Sequence, residues 1–347
     1  MQIRKLLSTL ALACVGMGAT AHAQQPAQPF YAGKTLKVIV GSSTGGYYDA
    51  AGRTVARYIG DFIPGKPYVV VQNQPDSAGN IVGNRLATTM ERDGTAIVVM
   101  SQALPQLALL GDPNVTWDPL KLTWLGSLTS YKDDGYLMTI NDSSWAKSWK
   151  DVNPSNKQLY LGGTRAGSTN ITFALIARDV LKMNIELVRG FPGAAEIWLA
   201  MERGEVDGQM LSISAILVGR PQLWAEKKLR PLMAFGLRER LKEWPDVPDA
   251  LELVTNAEDR ALLEFAQLPF FMAAPFVAPP DLPPERAKTL RDAFMAMATS
   301  EVFQTELRKA GIIPSPIDGA AVQALIQKAA DTPVEVRKRF GSLLSEK

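Results

Sequence analysis

The residues with the clearest chemical purpose are small, hydroxylated and uncharged. Ser43, Thr44, Gly45 and Gly46 follow the apolar run Leu36 to Val40, and Tyr47, Tyr48 and Asp49 come next. A second such loop, Gly163-Thr-Arg-Ala-Gly167, follows the apolar residues Leu159 to Leu161 and continues into Ser168, Thr169 and Asn170. Glycines let backbone N–H groups turn inward, and the first-turn N–H groups of a following helix favour an anion. Arg165 could grip a carboxylate through two hydrogen bonds, or simply face solvent. Asp49 has two readings, an N-cap for the helix behind it and an acceptor facing a ligand. Together these features favour an anion, held between two loops that face each other across a cleft.

Other chemistries fit less well. Ser144-Trp-Ala-Lys147 has the spacing of a serine–lysine acyl-transfer pair, but no K-T-G partner follows it. Gly33-Lys34-Thr35 lacks the earlier glycine of a phosphate loop, Gln28 standing in its place, and its strand follows instead of preceding. Ser43 occupies the second glycine position of a dinucleotide fingerprint. The one cysteine, Cys14, and the one histidine, His22, both precede residue 24. Beyond that point disulfides, thiol nucleophiles, histidine bases and ordinary zinc sets are excluded. Asp133-Asp134 reads as a solvated turn, and Glu202, Glu205 and Asp207 as exposed or capping. No Asp/Glu spacing resembles a calcium loop, so neither metal nor cofactor is expected.

The elements that must position these loops alternate along the chain. Arg4 and Lys5, the apolar run Leu6 to Val15 and Ala21-His22-Ala23 form a secretory signal over residues 1–23, with cleavage before Gln24 and a periplasmic destination expected. Lipidation of Cys14 is the rival reading, on a poorly matched cleavage box. Lys and Arg total 37 against 35 Asp and Glu, and loss of Arg4 and Lys5 leaves equal numbers. A neutral chain carries no electrostatic footprint for nucleic acid. Strands are expected at Leu36 to Val40, Tyr68 to Val71 and Ala96 to Met100, the last ending at Ser101-Gln102, with helices over Ala50 to Ile59 and Ile81 to Met90. A second alternating unit runs from Leu159 to Phe235, with helices at Ser168 to Leu181, Ala194 to Arg203 and Ser214 to Trp224. Helices over Pro284 to Thr299, Glu301 to Ala310 and Ala320 to Arg339 close the chain. Strand–helix alternation predicts α/β layers with parallel strands.

In order and spacing, the chain resembles the periplasmic solute receptors of tripartite tricarboxylate transporters, the Bug family. Ser43-Thr-Gly-Gly-Tyr-Tyr-Asp49 is similar to the family's P-x-G-G-x-x-D loop. Asn73-Gln-Pro-Asp-Ser-Ala-Gly-Asn80 is similar to N-x-P-G-A-G-G-N, and Arg92-Asp-Gly94 to P-D-G. Arg165-Ala-Gly-Ser-Thr-Asn170 stands for G-x-G-S-x-x-H, with Asn170 in place of histidine. Phe191-Pro192-Gly193, Gly204-Glu-Val-Asp207 and Ala274-Pro-Phe-Val-Ala-Pro279 complete the set. Thr44 and Asp76 each replace a glycine near the expected cleft, so ligand identity does not carry over.

The resemblance implies a two-lobed periplasmic binding protein-like fold, each lobe a mostly parallel sheet flanked by helices, joined by a hinge of crossing strands. One lobe is expected over 24–136 plus 276–347 and the other over 137–275, with hinges near Gly135 to Ile140 and Phe271 to Phe276. It implies a monomeric receptor, not an enzyme, that takes a small carboxylated solute to integral membrane transporter subunits. Asn80, Ser101, Gln102 and Pro192 join the two loops as candidate ligand contacts. A sensor domain for the same ligand class and a periplasmic hydrolase are the alternatives.

Overall fold

The computed structural model describes residues 28–74, 80–111, 115–130, 134–153, 157–237 and 239–345. The signal segment, Asp76 and Asp133 lie outside them. The chain lays down β1 (Thr35–Val40), β2 (Tyr68–Asn73), β3 (Ala96–Val99) and β4 (Thr123–Ser127). It then builds β5 (Tyr136–Asn141), β6 (Leu159–Gly162), β7 (Ile185–Val188), β8 (Gly208–Ser212) and β9 (Leu229–Phe235). β10 (Pro275–Ala278) and β11 (Ile317–Asp318) return to the first group. One sheet has the order β11-β4-β10-β3-β1-β2 and the other β7-β6-β8-β5-β9.

The helices are α1 (Tyr47–Phe62), α2 (Asn80–Thr88), α3 (Leu104–Ala108), α4 (Trp149–Val152), α5 (Thr169–Asp179), α6 (Ala194–Glu202) and α7 (Ile213–Gly219). They continue with α8 (Pro221–Ala225), α9 (Ala250–Leu253), α10 (Ala257–Gln267), α11 (Pro284–Ala298), α12 (Glu301–Lys309), α13 (Gly319–Ala330) and α14 (Val334–Ser345). Among the described residues no helix is long and apolar enough to cross a membrane.

Both sheets are mixed, where mostly parallel ones are expected from the sequence. β1 runs parallel to β2 and β3, and β6 parallel to β7 and β8. β10 is antiparallel to β3 and β4, and β5 antiparallel to β8 and β9. The reason lies in the two lobes. β1 and β6 end at the loops expected to face the cleft, whereas β5 and β10 begin where the chain enters a lobe, so they run the opposite way.

The inner strands β3, β4, β8 and β10 are buried on both faces, as sheets covered by helices require, while the edge strand β2 alternates with exposed residues. Leu36, Val38 and Val40 of β1 pack with Ala51, Val55 and Ile59, spaced four apart along α1, while Ile39 faces Val82 and Val98 on the other side. Full burial of each Leu, Val or Ile side chain among them contributes about 1.5–3 kcal/mol. Gly52 lets α1 lie close: a methyl there would come within 2.6 Å of Val40 Cγ2.

The first crossing differs from the expected hinge. Tyr136 to Ile140 is wholly strand, so the first crossing lies earlier, between Ser127 and Gly135. The second passes through Ala273 and Ala274, whose N–H groups donate to Thr129 O at 2.9 Å and Ser127 Oγ at 3.0 Å. The first crossing also bonds the segment before β11, Ser130 N–H donating to Ser315 Oγ at 2.8 Å. The helix expected over Ala320 to Arg339 is two, α13 and α14, with Pro333 in the break. After that turn Phe340 packs edge-on against Phe265 of α10, their centroids 5.2 Å apart, in the core of the second sheet. Proline also divides the helix expected over Ser214 to Trp224, at Arg220–Pro221.

Candidate functional site

Three helix starts surround the place where the lobes meet. α1 begins after Gly46, α5 after Ser168 and α6 after Gly193, and no N-cap side chain bonds their first-turn N–H groups. Elsewhere Asn256, Ser300 and Asp318 cap α10, α12 and α13 in the ordinary way. The loops before these starts approach each other. A methyl built on Gly193 would lie 3.9 Å from Ser43 Oγ, and one on Gly167 3.1 Å from Leu107 of α3. Gly167 and Thr169 line a small cavity with Ala103, Gln106 and Leu107 from the other lobe.

Three of the candidates, Ser101, Gln102 and Arg165, gather around Tyr48. Gln102 N–H donates to the Tyr48 hydroxyl at 3.1 Å. Burial pushes that hydroxyl up in pKa, against the bonds from Gln102 and Ser101 and the nearby charge of Arg165. Arg165, from the second lobe, is thus near enough for its charge to act on the first lobe's tyrosine. Ser43, Thr44, Gly45 and Pro192 are exposed, and Gly46, Tyr47 and Thr169 half-buried. Asn80 opens α2.

Other candidates bond within their own lobe. Asp49 is the third residue of α1 and not its N-cap. Its carboxylate accepts the Gly45 N–H at 2.9 Å, Asn73 Nδ2 at 2.8 Å and Arg53 Nε at 3.0 Å. Both oxygens thus tie the loop down. Burial alone would raise its pKa, but the bonds from Arg53, Gly45 and Asn73 outweigh that and hold it below the usual range. Asn170 is also buried and works on its own loop. Its Oδ1 accepts from Ser168 Oγ at 2.5 Å, Ile171 N–H at 2.9 Å and Thr164 Oγ1 at 3.1 Å. The Ser168 hydroxyl lies 2.6 Å from Arg165 O, so it fastens the loop.

Replacing Asp49 with alanine should lower stability by roughly 2 kcal/mol at pH 7, chiefly through the orphaned Gly45 N–H and Asn73 amide. The half-exposed Arg53 adds little. An acid with a lowered folded pKa stabilises above its unfolded pKa near 4 and loses that contribution as pH falls through the folded value. Urea melts should therefore show the variant well below the wild type at pH 7 and close to it in strong acid.

No protein-family model matches the chain, and no curated protein does. Solved structures do. The Rhodopseudomonas palustris protein MatC with bound malate is 21% identical, with 90% of this chain and 99% of that one covered and a TM-score of 0.64. A second R. palustris protein, solved with adipate, is 19% identical over 89% and 97% of the two chains, with a TM-score of 0.67. The periplasmic binding protein BugD is 17% identical over 90% and 99%, also at 0.67. The chain has the fold of BugD.

Within this BugD-like fold the serine–lysine spacing has a structural use. Ser144 Oγ donates to Asp207 Oδ1 at 2.8 Å, while Lys147 Nζ bonds Asp142 O at 2.5 Å, so the two side chains serve different partners. Asp207 Oδ2 accepts the Tyr160 N–H at 2.9 Å, fixing the end of β8 against β6. Among the described residues no group of three His, Cys, Asp or Glu could hold a metal ion.

Sequence reasoning missed three residues here. Arg53 and Asn73 hold Asp49, and only the four-residue Asp–Arg spacing gave any signal. Asp134, read as solvated, is wholly buried at the start of the second lobe. Ser214 N–H donates to its Oδ1 at 2.9 Å. Burial pushes its carboxyl up to about 7, against opposing hydrogen bonds from Ser214 and the Ile213 N–H. No local signal marks it, because α7 covers it.

Proposed function

We propose that the chain is a periplasmic solute receptor of the Bug kind, which binds a small carboxylated organic solute between its lobes and delivers it to membrane transporter subunits. The carrying observation is the pair of uncapped helix starts, α1 and α6, on loops of opposite lobes that approach each other. A helix N-terminus contributes about 0.3–1 kcal/mol to a nearby charge and up to about 2 when partly buried. Micromolar affinity needs about −8 kcal/mol, so several loop N–H groups, hydroxyls and Arg165 must add to the two helices. The malate and adipate of the two R. palustris structures support a carboxylate as ligand.

A thermal-shift screen of organic acids tests this, since a ligand at a hundred times its Kd adds about 2.7 kcal/mol of apparent stability. Arg165→Ala should weaken the best acid at least tenfold, and small-angle scattering should show a smaller radius of gyration with that acid bound. Unchanged affinity in the variant would leave the backbone groups to hold the carboxylate alone. Intact-mass analysis of periplasmic protein should find Gln24 as the first residue; a lipid on Cys14 would overturn that assignment.

A further inference from the structure

The lobes are joined by more than their crossing segments, because α3 of the first lobe reaches into the second. It starts directly after Ser101 to Ala103, where the Gln102 N–H holds the Tyr48 hydroxyl. Leu104 at its start packs in the core of the first sheet, while Leu109 and Leu110 just past its end pack against the core of the second. Between them the buried Gln106 side chain donates from Nε2 to Phe265 O at 2.6 Å, in the last turn of α10. The last carbonyls of a helix lack the usual partner one turn on, so a side chain of one lobe helps to finish a helix of the other. The tie is returned. Arg337 of α14 donates to Leu109 O at 3.4 Å, and α14 sits in the second lobe through Phe340, which packs on the ring of Phe265 itself. Gln106 also lines the cavity it shares with Gly167 and Thr169 of the second lobe's loop.

We propose that α3 is a clasp between the lobes and that Gln106 is a positioning residue for solute binding, whose bond to Phe265 O holds the two facing loops near each other before a solute arrives. The inference rests on the receptor reading. Leu104 anchors α3 to the first sheet, and Phe265 is part of the second sheet's core. A rotation of one lobe against the other therefore carries the donor away from its acceptor, and the bond is gone once the atoms part by about 1 Å. A contact made in one arrangement and broken in the other shifts the equilibrium towards the first. The apparent affinity of a solute that needs the first arrangement rises with the share of empty protein already in it. Gln106 acts in this way without touching the solute.

Gln106→Met tests the proposal, since it keeps the length and apolar stem of the side chain and removes the donor. Small-angle scattering on the empty mature protein should give a larger radius of gyration for the variant than for the wild type. Calorimetric titration with malate, succinate, adipate and citrate should show about three- to tenfold weaker binding of whichever acid the wild type holds best. With that acid bound, the two radii should agree. Arg337→Met cuts the returned tie and should move both readings the same way; it provides the answer if the methionine at position 106 prevents folding. A lower melting temperature with radius and affinity both unchanged is what a merely structural bond gives, and would overturn the inference while leaving the receptor standing. A change in only one of the two readings would overturn it as well, because the clasp requires that they move together. If the wild type binds none of the acids, the receptor reading falls and the positioning role with it, while the radii of the empty proteins still decide whether the clasp holds the lobes.

Discussion

Replacing Asp134 with asparagine should stabilise the empty protein at pH 8 and leave it nearly unchanged at pH 4. The carboxyl is wholly buried, and burial raises it to about 7 against an unfolded value near 3.9. For an acid raised in this way, the folded state is fully favoured below the unfolded pKa. Stability is then lost as pH climbs through the window between the two values. At 1.36 kcal/mol per unit the loss is on the order of 4 kcal/mol by pH 8. Asparagine keeps the acceptor for the Ser214 N–H and carries no charge, so it escapes that loss. At pH 4 the protonated acid places one unsatisfied donor in that spot and the amide two, so the variant has no advantage there. Asp249 pulls in the same direction, since burial raises it to about 6 against the N–H groups of Leu251 and Leu237. The wild type should therefore gain stability from pH 8 towards pH 5, and the variant should retain only the smaller Asp249 share. Urea melts across that range decide it; parallel curves for the two proteins would mean that Asp134 is ionised without penalty.

The second large effect is expected at Asn170. Its single oxygen gathers bonds from Thr164, Ser168 and the Ile171 N–H in a buried loop. Asn170→Ala orphans those donors together and should cost about 2–4 kcal/mol, at 1–3 for each buried group left unsatisfied and allowing the hydroxyls to re-aim. Ser168→Ala removes one spoke only and should cost about 1 kcal/mol. Solute affinity should fall in both variants, and further in Asn170→Ala, because the loop that presents Arg165 and the start of α5 loses its internal ties. Melts and calorimetry on the two proteins give the answer. A full loss of affinity in Ser168→Ala with an unchanged melting temperature would show instead that its hydroxyl touches the solute.

These effects trace to groups of two kinds, and only one kind is legible in the sequence. Local patterns determined the strand–loop–helix units: the apolar run Leu36 to Val40 needs cover on both faces, and glycines with hydroxyls after it mark where the chain turns into a helix. The same pattern recurs at Leu159 to Asn170, so the two loops, the alternation and the α/β layering followed from the residues alone. The direction of β5 and β10 did not, because a strand's orientation depends on which end of a lobe the chain enters. The break at Pro333 was visible as a residue, but the return of α14 to the second sheet depends on Phe340 finding Phe265. The roles of Asp49 and Asn170 were likewise decided in three dimensions. Each has few acceptor positions, and neighbours such as Asn73 and Thr164 reach them first. Asp134 is the clearest case. Two adjacent aspartates read as a solvated turn because nothing nearby in the chain would bury them. Its burial, with the Ser214 N–H of α7 on its carboxylate, is a tertiary fact, and its stability effect depends on it.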